Sequence, residues 1–166
     1  MRAHRILAIA LAASLARGVF AQSKSLEGTW RLVSASSATE NGLVNKAVFG
    51  ENPTGFITYT ADGRMMAIIS DGGRKPLSVT DRIAATTEER ARAFSTFVAY
   101  AGTYTFTSDK VVHHVEAASI QNWVNTDLVR SARFEGDRLI LKTPPTARGG
   151  VAQSIELVWQ RLNTNQ

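Results

Sequence analysis

Apolar and polar residues alternate along most of this chain in short runs, and small polar turn residues separate the runs. Residues 28–36, 56–60, 64–70, 102–107, 111–118, 126–135, 138–143 and 153–162 each show the two-residue period of a strand with one buried face. Ala61-Asp62-Gly63, Ser108-Asp109-Lys110 and Gly136-Asp137 join successive runs with tight-turn chemistry. Strands in sequential hairpins form an up-and-down antiparallel sheet. Such a meander exposes two edges unless it closes on itself. Eight closed strands leave an interior just wide enough for side chains or one small ligand. The expected class is therefore all-β, an eight-stranded up-and-down antiparallel barrel with one helix between the third and fourth strands.

That helix is the one stretch that departs from the two-residue period. Thr86-Thr87-Glu88-Glu89 has the form of a capping box, with Thr86 as N-cap and Glu89 three residues on. Ala91, Phe94, Phe97, Val98 and Ala101 then recur at helical spacing, and Gly102 supplies a stop. The pattern predicts an amphipathic helix over residues 87–100. Its phenylalanine stripe suits packing over an open end or side of the barrel, or else a partner's surface.

The first 21 residues read differently. Residues 1–5 are short and basic, residues 6–16 are apolar, and Val19-Phe20-Ala21 is a small-x-small cleavage signal. The expectation is a secretory signal peptide removed ahead of Gln22, leaving residues 22–166 as one domain in the periplasm or the medium. A bilayer span takes roughly 20 apolar residues, so no stable membrane anchor is expected after removal. The formal charge of +5 also shrinks, because Arg2, Arg5 and Arg17 lie in the leader and leave 16 basic against 14 acidic residues. Those charges are interspersed rather than gathered in a run, so nucleic acid is not an expected partner. With no cysteine in the chain, disulfides, thiolate metal sites and cysteine nucleophiles are excluded.

Strand alternation sorts the remaining candidates by face. Trp30 and Leu32 share a face, as do Val111, His113, Val115 and Ala117. So do Leu128, Arg130, Ala132 and Phe134, Leu139 and Leu141, and Ile155, Leu157, Trp159 and Arg161. Two arginines and a histidine thus fall on apolar rows, where an unpaired charge is costly. First and last strands adjoin in a closed barrel, so Arg161 is expected to stack on Trp30, latching the closing strands and plugging one end. Arg130 has two readings. It is either paired with a carboxylate such as Glu116, or snorkelling to the rim, or it anchors an acidic or carbonyl group of a ligand through its planar fork of donors. His113 is either a hydrogen-bonded core residue or, with Arg130 and Tyr59 or Tyr104, an acid–base group in an apolar pocket. His114 faces the other way with Glu116, and no third ligand stands at metal-binding spacing, so neither metal nor other cofactor is expected. Trp123, in the loop after the fifth strand, suits a cavity mouth or a gap between loop and barrel.

An ordered series of motifs adds a resemblance. It runs through Leu26-Glu27-Gly28-Thr29-Trp30-Arg31-Leu32, Gly55-Phe56-Ile57-Thr58-Tyr59-Thr60-Ala61-Asp62-Gly63, Tyr100-Ala101-Gly102-Thr103-Tyr104, His113-His114-Val115-Glu116, Asn122-Trp123, Arg130 and Trp159-Gln160-Arg161. The series spans nearly all of residues 25–162 and resembles the lipocalin-like domain family of bacteria and fungi. The resemblance implies a calycin-like barrel with a cavity, in which Gly28, Trp30 and Arg161 are structural. Asn125 stands where the family has glycine, so a different turn is expected there. The helix also lies mid-chain, whereas typical lipocalins carry theirs after the barrel, so their transport role does not transfer. Fold analogy alone does not assign chemistry. The expected function is an exported barrel binding a small hydrophobic or amphipathic molecule that bears an acidic or carbonyl group. Its expected lining is His113, Arg130, Trp123, Tyr59, Tyr104 and Phe134. The alternative is an enzyme of isomerase, cyclase or hydro-lyase type that uses His113 and Arg130 in the cavity.

Overall fold

The computed structural model describes residues 25–42, 44–148 and 150–162, so the expected signal peptide and its cleavage site lie outside the described residues. One antiparallel sheet is built from β1 (Gly28–Thr39), β2 (Val44–Asn45), β3 (Thr54–Tyr59), β4 (Arg64–Ser70), β5 (Phe97–Phe106), β6 (Lys110–Ala118), β7 (Asp127–Glu135), β8 (Arg138–Lys142), β9 (Thr146–Arg148) and β10 (Val151–Arg161). The eight longer strands follow one another in chain order around the sheet. β10 then returns to β1, from Trp30↔Arg161 to Thr39↔Gln153, and closes the barrel. β2 and β9 are short ribbons on β1 and β10 that the sequence pattern does not single out.

The helix α1 (Thr87–Ser95) sits between the third and fourth barrel strands and ends earlier than its spacing predicts. Its capping box is complete: the Glu89 N–H donates to the Thr86 hydroxyl, and the Thr86 N–H donates to the Glu89 carboxylate. At the other end the Thr96 N–H returns to the Arg92 carbonyl, and the chain turns directly into β5. β5 pairs with β4 along its whole length, from Ser70↔Phe97 to Arg64↔Thr103. A longer helix would strip β4 of those bonds at its far end and leave backbone groups unpaired. Val, Phe and Tyr also favour strand over helix. Phe97, Val98 and Ala101 therefore belong to β5, no residue of α1 is buried, and Phe94 is exposed. The predicted packing of a phenylalanine stripe over the barrel does not occur.

Two bulges re-aim the faces. Val33 is the extra residue between Leu32↔Trp159 and Ser34↔Val158, so the inward row passes from Trp30 and Leu32 to Ala35 and Ser37. Glu116 is the extra residue opposite Ala101 and Gly102. Beyond it Ala117 is exposed, against strict alternation, while Val111, His113 and Val115 remain buried. Backbones approach so closely here that a Cβ on Gly102 would lie 1.9 Å from the His114 carbonyl oxygen. Asn125 has φ +59, the left-handed conformation that glycine adopts freely and asparagine tolerates. The turn into β7 thus takes a glycine-type geometry without a glycine.

One end of the barrel is filled. Trp30, Trp159, Ile57, Tyr59 and Leu139 are fully buried where β1 begins and β10 ends. The Arg161 guanidinium lies 4.0 Å from the centre of the Trp30 ring. It donates to the carbonyls of Ser25 and Glu27, binding the segment ahead of β1 to the last strand.

Candidate functional site

The opposite end holds a cavity of about 490 Å³, within the range of small-molecule sites. Its walls include Ile69 from β4, Val98 and Tyr100 from β5, Leu128 and Arg130 from β7, and Ile155 and Leu157 from β10, with Trp123 in the loop above. Apolar side chains dominate because these are the inward positions of strands whose outward neighbours face water. Asp127 lies at the rim, turned to His114.

Arg130 is the cation of this wall. It is half-buried on the inward row between Leu128 and Ala132, and one guanidinium nitrogen donates to the Val129 carbonyl at 2.8 Å. Its charge also acts on the Tyr100 hydroxyl. Among the described residues no carboxylate pairs with it. Glu116, its expected partner, sits at the bulge on the outer face and pairs with Arg64 at 3.2 Å. A planar fork of five N–H donors therefore has capacity left for whatever occupies the cavity.

Behind Tyr100 a chain of hydrogen bonds runs into the core. The Tyr100 hydroxyl is 3.0 Å from His113 Nδ1, and His113 Nε2 is 2.7 Å from the Tyr59 hydroxyl. His113 has no exposed surface. Burial, reinforced by the charge of Arg130, lowers its pKa to about 3, so the imidazole is neutral at ordinary pH. Burial raises the pKa of Tyr59 and Tyr100, and Arg130 opposes that rise in both. All three groups are held uncharged.

Of the residues expected to line a ligand, the structure brings Arg130 and Trp123 to the cavity. Trp123 meets Tyr100 edge-on with ring centres 5.8 Å apart. His113 and Tyr59 stand behind Tyr100 and form none of the wall. Tyr104 packs edge-on to Tyr59 at 4.8 Å and donates to the Thr60 carbonyl. Phe134 lies against Trp30 and Phe106, towards the filled end. An acid–base step in which His113 itself touches a substrate has no space, because Tyr100 is the group in front. Sequence reasoning misses Tyr100 by placing it at a helix terminus. The alternation of Val98, Tyr100, Gly102 and Tyr104 against Ala99, Ala101 and Thr103 is the signal that finds it.

His114 points outward, with Nδ1 2.7 Å from Asp127 Oδ1 and Nε2 2.8 Å from the Thr105 hydroxyl. Among the described residues no three metal-ligating side chains converge. A second recess of about 410 Å³ lies outside the barrel between α1 and residues 74–77, lined in part by Arg74, Lys75, Glu89 and Arg92. Glu89 there is already bonded to Ser78 and Thr86, and Arg74 lies over the Phe97 ring, so the barrel cavity is the stronger candidate.

A closed antiparallel barrel, filled at one end and hollow at the other, defines a lipocalin-like barrel. The profile of the lipocalin-like domain family matches residues 27–162, and the chain belongs to that family. A relative from Aspergillus oryzae (strain ATCC 42149 / RIB 40) is named 4'-hydroxy-3'-methoxypropiophenone carrier protein ppsC. It is 33% identical over 99 residues, which are 54% of this chain and 84% of the relative. Among solved structures, a mutant of the fluorescent protein UnaG aligns over 81% of this chain and 94% of its own, with 12% identity and a TM-score of 0.35.

Proposed function

We propose that this protein is an exported binding barrel that holds a small, largely apolar molecule through a carbonyl or acidic group in the open-end cavity. The observation that carries the reading is Arg130, a guanidinium with no carboxylate partner among the described residues, set among Val98, Leu128, Ile155 and Leu157. The Val129 carbonyl takes one of its donors but does not neutralise the charge, and a carbonyl or acidic group on a bound ligand suits the donors that remain. Family membership supports the reading. So does the relative named as carrier of an aryl ketone, a molecule that combines an aromatic ring with a carbonyl acceptor. Export rests on the leader pattern ahead of Gln22, and amino-terminal sequencing of the mature protein checks it.

The test is a titration of the purified protein with aryl ketones and aromatic acids, followed by tryptophan fluorescence because Trp123 borders the cavity. Saturable quenching is expected, weakened about ten-fold or more in Arg130→Met, since a hydrogen bond to a charged donor contributes about 1.5–3 kcal/mol. Absence of binding by both ligand classes, or an Arg130→Met variant that binds as tightly as the parent, would overturn the reading.

A further inference from the structure

We propose that Tyr100 presents its hydroxyl proton to the cavity and thereby selects a ligand with a hydrogen-bond acceptor at that point. The inference deepens the reading of the cavity as a ligand site and rests on it for its functional meaning. The direction of the proton follows from counting donors and acceptors.

Tyr59 is buried, and among the described residues His113 Nε2 is the sole hydrogen-bond partner of its hydroxyl. A buried O–H without an acceptor costs about 1–3 kcal/mol, so Tyr59 donates and Nε2 accepts. A neutral imidazole carries one N–H, which must then sit on Nδ1. Nδ1–H donates to the Tyr100 oxygen 3.0 Å away. With its oxygen accepting from behind and no acceptor for its proton among the described residues, Tyr100 directs that proton into the space it lines. The opposite order, with Tyr100 donating to Nδ1 and Nε2–H donating to Tyr59, would strand the Tyr59 proton in the core.

Arg130 and Tyr100, both in the cavity wall, therefore offer donors to its occupant, while the Tyr100 oxygen is already accepting from Nδ1–H. A ketone or carboxylate oxygen suits that pair. An alcohol oxygen at the same point brings a proton of its own that finds no partner there. The site discriminates by the direction of hydrogen bonds rather than by shape alone, as sites with fixed polar partners do. Tyr59 and His113 do not touch the ligand in this scheme. They are positioning residues that hold the Tyr100 proton outward.

Two measurements test the proposal. The first needs no ligand: the full chain is labelled with 15N-histidine, and long-range ring correlations read which nitrogen of His113 is protonated, with His4→Gln and His114→Gln separating the three resonances. A proton on Nδ1 is expected, and a proton on Nε2, or exchange between the two, overturns the proposal. The second compares binding of propiophenone, the alcohol formed by reducing its carbonyl, and propylbenzene. The ketone is expected to bind at least ten-fold more tightly than the alcohol, with that gap closing in Tyr100→Phe. Equal binding of ketone and alcohol, or a gap that persists in Tyr100→Phe, refutes the selection by Tyr100 while the ligand-binding reading stands. If none of the three compounds binds, the functional meaning falls with the cavity reading, and the ring correlations still decide the direction of the proton.

Discussion

Replacing His113 with glutamine should change how stability depends on pH. The folded protein holds His113 with a pKa near 3, whereas the unfolded chain takes up a proton near the ordinary value of about 6.5. The folded state thus refuses a proton that the unfolded state accepts. The contribution of the neutral imidazole is whole above pH 6.5 and is lost progressively as the pH falls towards 3. Between pH 7.5 and 4.5 the unfolded chain gains about 2.7 kcal/mol by protonating, two units below its pKa at about 1.36 kcal/mol each. Glutamine keeps one donor and one acceptor for the two tyrosines and does not titrate. Urea denaturation followed by far-ultraviolet circular dichroism, at both pH values, isolates the effect because the carboxylates are common to both proteins. Parent stability should fall by about 2.7 kcal/mol more than that of His113→Gln, a difference of roughly 1 M or more in midpoint for ordinary denaturant slopes. Parallel pH profiles would refute the claim that His113 is buried and neutral.

Substitutions at three further positions probe the frame. Arg161→Met removes both the stack on Trp30 and the donors to Ser25 and Glu27. It should lower stability by about 2 kcal/mol in urea denaturation, and Arg161→Lys, which lacks the planar face, should restore less than half of it. Gly102→Ala forces a methyl group onto the His114 carbonyl, and a loss of about 3 kcal/mol, or failure to fold at 37 °C, is expected. Thr86→Ala opens the capping box and should cost about 1 kcal/mol, seen as faster amide exchange confined to α1 and residues 76–86.

Much of the architecture is written in the chain because hairpins are local. Turn residues and two-residue alternation mark the eight long strands, and the need to remove sheet edges implies closure. What alternation lacks is any sign of a bulge. The extra residues at Val33 and Glu116 shift the inward row by one, so Ala35 and Ser37 turn in and Ala117 turns out. The end of α1 is missed for a related reason. Helical spacing continues past Thr96 in the sequence, but pairing with β4 is non-local and outweighs another turn of helix. That misplacement conceals Tyr100. Arg130 is legible because a cation on an apolar row requires a partner whatever the fold, whereas the burial of His113 behind a tyrosine depends on which strands converge at the barrel axis.

A crystal structure of the protein soaked or co-crystallised with an aryl ketone is the decisive measurement. The ketone oxygen should lie within hydrogen-bonding distance of both the Tyr100 hydroxyl and the Arg130 guanidinium, with the ring among Leu128, Ile155 and Trp123. A ketone seated on the outer wall, or a barrel filled by its own side chains with Arg130 turned to solvent, would contradict the account.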